Sequence, residues 1–344
     1  QINSASESNR VAVLIGQGRY ESGTLEMKQY TDLYGGFSED NWQRDIYKYQ
    51  TFISGNDENR VLIAADHARL DGFIIANGRV RGHGAGILCD DTSPEISNNI
   101  ILDNMTLAPE NFNYNRIHQE GNQGGGIACL FNAVPVIRNN IFYQNKTGIG
   151  MGAGIAVYGW VRVKGGPEAR FVENRMIDGL RAKIENNVFL ENNSGVNDTG
   201  RTRSSSGAAI GCAYEARPII KNNLILNNKA QGRSDAGGIY VEYYSFPDII
   251  KNYILGNISD DDGGGIYAMR SSHPLIQDNI IAGNFTEGGG PGGIRLSKEG
   301  RGKITGNTIV YNPGGGVLSV DSYLELTDNI IMDNPGGHGV TVRS

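Results

Sequence analysis

An all-β solenoid of stacked coils is the fold class this sequence predicts, and three observations carry the prediction. First, asparagines fall in a column at Asn99, Asn140, Asn187, Asn223, Asn252, Asn279, Asn307 and Asn329. Five residues after each stands another, at Asn104, Asn145, Asn192, Asn228, Asn257, Asn284, Asn312 and Asn334. The clearest copy reads P-I-I-K-N-N-L-I-L-N-N over Pro218–Asn228, and a degenerate one covers Leu70–Asn77. Second, Gly-rich runs end in an aliphatic column: Ile87, Ile127, Ile155, Ile210, Ile239, Ile266, Ile294, Val317 and Val340. Third, 12 or 13 residues separate each aliphatic from the next first-column asparagine, except between Ile155 and Asn187, whereas 10 to 28 separate asparagine from the following aliphatic. One part of the repeat is therefore fixed and the other is a loop of free length, the pattern of stacked coils.

The physics of such a stack is direct. Each coil holds short strands with alternate side chains turned inward, and it buries that face only when neighbours stack above and below. Asparagines in register can hydrogen-bond amide to amide along the axis, and Asn tolerates the left-handed backbone of a tight corner. The arrangement resembles the right-handed parallel β-helix of the pectate-lyase-like superfold. About ten coils, each rising about 4.8 Å, would make a rod on the order of 45–50 Å long.

The predicted organisation is a tail and short cap over residues 1–50 and a single parallel β-helix over residues 51–344. The 49 glycines serve repeated turns, since no collagen-like G-x-y period is present. A net charge of −6 argues against nonspecific nucleic-acid binding, and no apolar run is long enough to span a membrane. No signal peptide opens the chain, as in a mature, processed protein.

In order, the polar stretch Gln1–Arg10 reads as a tail, Arg10–Gly16 as a strand and Gly18–Tyr20 as a turn. G-R-Y at Gly18–Tyr20, L-Y-G-G-F at Leu33–Phe37, T-F-I-S-G at Thr51–Gly55 and L-D-G-F-I-I-A-N-G at Leu70–Gly78 then follow one another. This series over the first 80 residues resembles the opening of secreted bacterial β-helix-repeat proteins. That resemblance implies a secreted, extracellular or cell-surface location and the fold, and little chemistry. Long loops are expected at Met105–Gln123, at Tyr158–Arg181 with Trp160, Arg162, Lys164 and Arg170, and at Ser194–Ser206. The chain closes on Val340–Ser344 as another coil begins, so an open C-terminal end is expected.

Cys89, Cys129 and Cys212 each stand two residues after the column aliphatic, hence inward beside Val157, Val241 and Ala268. They read as small apolar core residues rather than metal ligands, because no histidine shares their column. Outward positions on the same strands carry Tyr240, Tyr267 and Arg295 in one file and Tyr158, Glu242 and Met269 in another, with Trp160, Tyr214, Tyr243, Tyr244 and Arg270 close by. Such an aromatic file is either a docking face for a sugar polymer or partner, or ordinary stacking of strand-favouring tyrosines.

Asp260, Asp261 and Asp262 precede a Gly run and offer oxygen ligands for Ca²⁺, or form a solvated acidic turn. Candidate acids for glycoside cleavage are these three with Asp90, Asp91, Asp235 and Glu242, and candidate bases are Arg162 and Lys164. Gly82-His83-Gly84 resembles the G-H-G of polygalacturonases but lacks their companion acidic and R-I-K motifs. N-x-S/T strings start at Asn104, Asn145, Asn192, Asn197, Asn257 and Asn284, either glycan acceptors or turns aided by a hydroxyl.

Two functions follow. One is a structural or adhesive surface protein that binds a cell-surface partner or assembles end to end into a filament through its tail and open last coil. The other is a secreted polysaccharide lyase or glycoside hydrolase whose substrate lies along the tyrosine face.

Overall fold

The computed structural model describes residues 5–21, 23–108, 122–159, 181–196 and 205–344. Trp160, Arg162, Lys164, Arg170 and Asn197 lie outside these described residues. Among the described residues every interstrand ladder within the long sheets is parallel, and the strands fall into three sheets of eleven and a fourth of seven. The first sheet runs from Val11–Gly16 to Tyr323–Thr327, the second from Gly18–Tyr20 to Ile330–Met332 and the third from Leu25–Glu26 to Val340–Arg343. The fourth, from Arg79–Val80 to Phe285–Thr286, is a file of two-residue strands at the corner after the second asparagine column.

Each coil thus visits the sheets in a fixed order, and the repeat of the sequence maps onto it. The first asparagine column separates the first sheet from the second, and the second column separates the second sheet from the fourth. The Gly runs lead into the third sheet. One inward side chain per coil fills the core from the first sheet (Ile137, Ile184, Ile220, Ile249) and one from the second (Phe142, Phe189, Ile225, Ile254), all fully buried. Phe142 and Phe189 stack with ring centroids 4.6 Å apart. The third sheet contributes two inward files, and its pairing places Cys89 on Cys129, Cys129 on Val157, Val157 on Cys212, Cys212 on Val241 and Val241 on Ala268. The three thiols are free and buried in this apolar column.

The asparagine ladders are continuous. Asn223 receives the backbone N–H and Nδ2 of Asn187 on its Oδ1 at 2.9 and 3.1 Å. Its own Nδ2 donates to Ile184 O and to Asn252 Oδ1, both at 2.9 Å. The same pattern joins Asn104, Asn145, Asn192, Asn228, Asn257, Asn284, Asn312 and Asn334. Every donor and acceptor of these buried amides is used, which is the condition for placing them inside.

The left-handed backbone, expected on the ladder asparagines, belongs instead to the residue before each. Asn98, Asn139, Asn186, Asn222, Lys251, Asp278 and Asp328 carry φ between 55 and 58°, and Gly306 carries 69°. Before the second column the same role falls to Asp103, Gln144, Glu191, Asn227, Gly256, Gly283, Tyr311 and Asp333. The chain turns one residue early, and the turn swings the asparagine amide inward.

The sheets begin ahead of residue 51: Val11–Gly16 pairs with Thr31–Phe37, Gly18–Tyr20 with Thr51–Ser54 and Leu25–Glu26 with Leu62–Ile63. Each long sheet holds eleven described strands, in keeping with about ten coils, and Gly18–Tyr20 is a strand rather than a turn. The asparagine repeat did not reveal this first coil because its corner is built on Gly16-Gln17-Gly18, with Gly18 at φ 138°.

Candidate functional site

The outward face of the third sheet has the register expected of it, with Tyr240 on Tyr267 and Tyr267 on Arg295. Its exposure does not. Tyr158, Tyr214, Tyr240 and Tyr267 are each 2–3% exposed and Glu242 is fully buried. With Ala128, Met151, Ala156 and Met269 they form a second apolar layer outside the coil. A Cβ on Gly211 would lie 2.8 Å from Met151 Cγ, so this glycine leaves the slot into which Met151 packs from the preceding Gly run. The tyrosines therefore form a closed layer and not an open platform.

Glu242 draws two partners inside the layer. Tyr240 donates its hydroxyl to Glu242 Oε2 at 3.1 Å, and Arg270 Nη1 lies 3.3 Å from the same oxygen. The Arg270 guanidinium covers the Tyr243 ring, which stacks on Tyr214 at 4.7 Å. Arg295 sits over Tyr267, 5.5 Å from its centroid. Burial, then the Glu242 charge, pushes the Tyr240 hydroxyl well above its ordinary pKa. Tyr243, Arg270 and Arg295 remain half-buried at the margin of the layer, and Tyr244 is exposed.

Beside this layer the acidic group regroups. Asp260 turns away to accept the Gly232 N–H. Asp261 and Asp262 instead meet Asp235 of the preceding coil, with one carboxyl oxygen of each within 4.8 Å of the others. Asp262 also pairs with Arg295. Burial, then the charges of Asp262 and Asp261, pushes the Asp235 carboxyl up to about 8. Among the predicted cation ligands, Asp235 thus takes the place of Asp260. The G-H-G string is structural: burial lowers His83 to about 4 and its Nδ1 accepts the Gln123 N–H at 3.1 Å.

The glycan-acceptor reading is overturned for Asn104, Asn145, Asn192, Asn257 and Asn284, which are fully buried with both Nδ2 protons donated. No transferase reaches such an amide in the folded chain. The hydroxyl two residues on faces inward in the fourth sheet, where Thr106, Ser259 and Thr286 bond the carbonyls of Asn122, Asp262 and Gly290. The string is a by-product of the corner.

Sequence reasoning passed over the outward face of the second sheet. One file pairs Ile100, Ile141, Val188, Leu224, Tyr253, Ile280, Thr308 and Ile330 in succession. The other pairs Leu102, Tyr143, Leu190, Leu226, Leu255, Ala282, Val310 and Met332. All sixteen side chains are half-buried or exposed, with Tyr253 at 52% and Ile330 at 56%. The corner residues on both margins, such as Asn139, Asn186, Asp103 and Gln144, give this apolar strip a polar rim. On the first sheet the equivalent outward positions mix charge with apolar groups, Glu95, Arg138, Lys183, Glu185, Lys221 and Asp248 standing among Val136, Ile219, Ile250 and Leu275. There, a shallow cleft of about 310 Å³ is lined by Arg10, Asp32, Tyr34, His67, Arg69 and Glu95, and its charges pair along the axis, Arg69 and Arg138 both on Glu95.

Fold and surface together define a parallel β-helix solenoid with a closed aromatic layer, an acidic cluster and an apolar strip. The chain belongs to the right-handed β-helix region family, which matches residues 172–344, just over half its length. No curated protein and no solved structure matches the chain.

Proposed function

We propose that this chain is a structural rod of the extracellular space or cell surface that associates side to side with a second copy of itself. The apolar strip on the second sheet carries the reading. Sixteen outward side chains, each leaving on the order of 50 Å² uncovered, amount to roughly 800 Å² per copy, one half of a standard interface. An apolar centre within a polar rim is the anatomy of a contact surface. Its composition is nearly uniform along the axis, so two rods can lie face to face about 10 Å apart and close by two-fold symmetry. This association uses the flank of the rod. Resemblance of the first 80 residues to secreted β-helix-repeat proteins supports the location. The polysaccharide-cleaving alternative is weakened, because Tyr158, Tyr214, Tyr240 and Tyr267, four of the rings that would stack against sugars, are buried.

Sedimentation velocity tests the proposal. The protein is expected to move from monomer to dimer with concentration, and Leu226→Lys with Tyr253→Lys to hold it monomeric with an unchanged circular dichroism spectrum. A wild-type chain that stays monomeric up to solubility-limited concentration overturns the reading.

A further inference from the structure

The three thiols of the third sheet are not equally spaced along the axis. Cys89 and Cys129 are direct register partners in adjacent coils, whereas Val157 stands between Cys129 and Cys212. All three point into the core and are fully buried. Neighbouring strands lie about 4.8 Å apart, inside the range of about 4.4–6.8 Å between Cα atoms that a disulfide spans. Two such steps put Cys212 about 9.6 Å from Cys129, beyond that reach.

Cys89 and Cys129 also touch. The hydrogen bond to Cys129, and then burial, raises the Cys89 thiol well above its ordinary pKa. Around them the ladder is unbroken, from Ile87 on Ile127 to Asp90 on Leu130, so both side chains leave parallel strands in the same direction. Their Cβ atoms are then about as far apart as the strands, and an S–S bond needs them to approach by only about a few tenths of an ångström.

We propose that Cys89 and Cys129 are a disulfide site: folding in the presence of a small-molecule disulfide closes one covalent rung between their coils and leaves Cys212 a thiol. One thiolate of the pair attacks a sulfur of the external disulfide, forming a mixed disulfide and releasing a small thiolate. The other then attacks the protein sulfur of that intermediate, forming the Cys89–Cys129 bond and releasing the second small thiolate. The protons of the two protein thiols pass to the released thiolates. The protein pair is oxidised by two electrons and the external disulfide is reduced by the same two. Both sulfurs are shut from water in the finished core, so exchange takes place while the two coils are open, and the completed stack then encloses the bond. The bond ties together two residues well separated in the sequence, which restricts the unfolded chain and raises stability. This inference rests on strand register and is independent of the association and location proposed above.

The test refolds the reduced full chain with oxidised and reduced glutathione, with circular dichroism as the measure of folding. Free thiols are then alkylated in denaturant and the products read by mass spectrometry. The expected chain is alkylated at Cys212 alone and yields a peptide pair joined through Cys89 and Cys129. Wild type refolded without oxidant should melt several degrees lower, whereas Cys89→Ala should melt alike from both buffers. Cys212→Ala should keep the link. Should refolding from denaturant fail, native reduced protein is held with oxidised glutathione just below its melting temperature, where coils open, and read in the same way. The proposal is overturned if the folded chain exposed to oxidised glutathione keeps all three cysteines alkylatable, ends as a glutathione adduct, or links Cys212.

Discussion

A single buried amide in this molecule does the work of a turn, a rung and a plug. Replacing Asn223 by Leu removes the acceptor of two Asn187 donors and the donor that satisfies Ile184 O. The orphaned groups lie where water cannot reach them, so the expected loss of stability is about 2–5 kcal/mol. Asn329 occupies the last rung of the same ladder and is only half-buried. Its replacement by Leu should cost less than about 1.5 kcal/mol, because water can serve the freed groups. Urea unfolding of both variants measures the difference, and equal losses would refute the ladder as a source of stability. Asp71 sets an acid limit. Burial raises its carboxyl, but hydrogen bonds from Arg44, Ser97 and Asn98 outweigh that and hold it below its ordinary 3.8. A carboxylate with a depressed folded pKa contributes stability above its unfolded pKa and loses it as pH falls through the folded value. The chain should therefore weaken below about pH 4, and Asp71→Asn should be less stable at pH 7 by about 1–3 kcal/mol with a gap that closes on acidification. A gap constant from pH 7 to pH 3 would show that the charge is not what matters.

At the scale of strand and corner, the sequence was most legible where spacing is rigid. Asn99 and Asn104, or Asn223 and Asn228, fall five residues apart because a three-residue strand and one left-handed residue fill the interval. That constraint survives in the eight coils from Asn99 to Asn334, so the columns could be read without coordinates. The first coil could not be read, because Gly16-Gln17-Gly18 turns by glycine and leaves no amide to align. The fate of the tyrosines was hidden for a different reason. Alternation along Ile239–Val241 shows that Tyr240 points away from the core, but burial depends on Met151 and Gly211, distant in sequence and joined only by stacking. Asp235 joined Asp261 and Asp262 through the same stacking, across a loop whose length varies from coil to coil. The apolar strip, by contrast, was in plain view. L-I-L at Leu224–Leu226 and Y-I-L at Tyr253–Leu255 place large apolar groups on both faces of a strand whose equivalents in the first sheet alternate with charge.

The whole rod presents flanks of opposite character, and salt distinguishes them. On the first sheet, Arg181 pairs with Asp248, Glu95 with Arg69 and Arg138, and Lys303 with Glu325, so a contact made there draws largely on charge. Such a contact should dissociate between about 0.05 and about 0.5 M NaCl, as the Debye length shrinks from about 14 to about 4 Å. The second sheet has only Ile, Leu, Val, Tyr, Ala, Met and Thr308 to offer across its strip. Association through it should change little, less than about threefold in Kd, over the same range of NaCl, because burial of apolar area is not screened. Sulfate, excluded from protein surfaces, should tighten it, and cooling should loosen it. Sedimentation equilibrium across this series assigns the flank. A dimer that falls apart in NaCl and ignores sulfate would place the contact on the charged sheet and leave the apolar strip without a role in self-association.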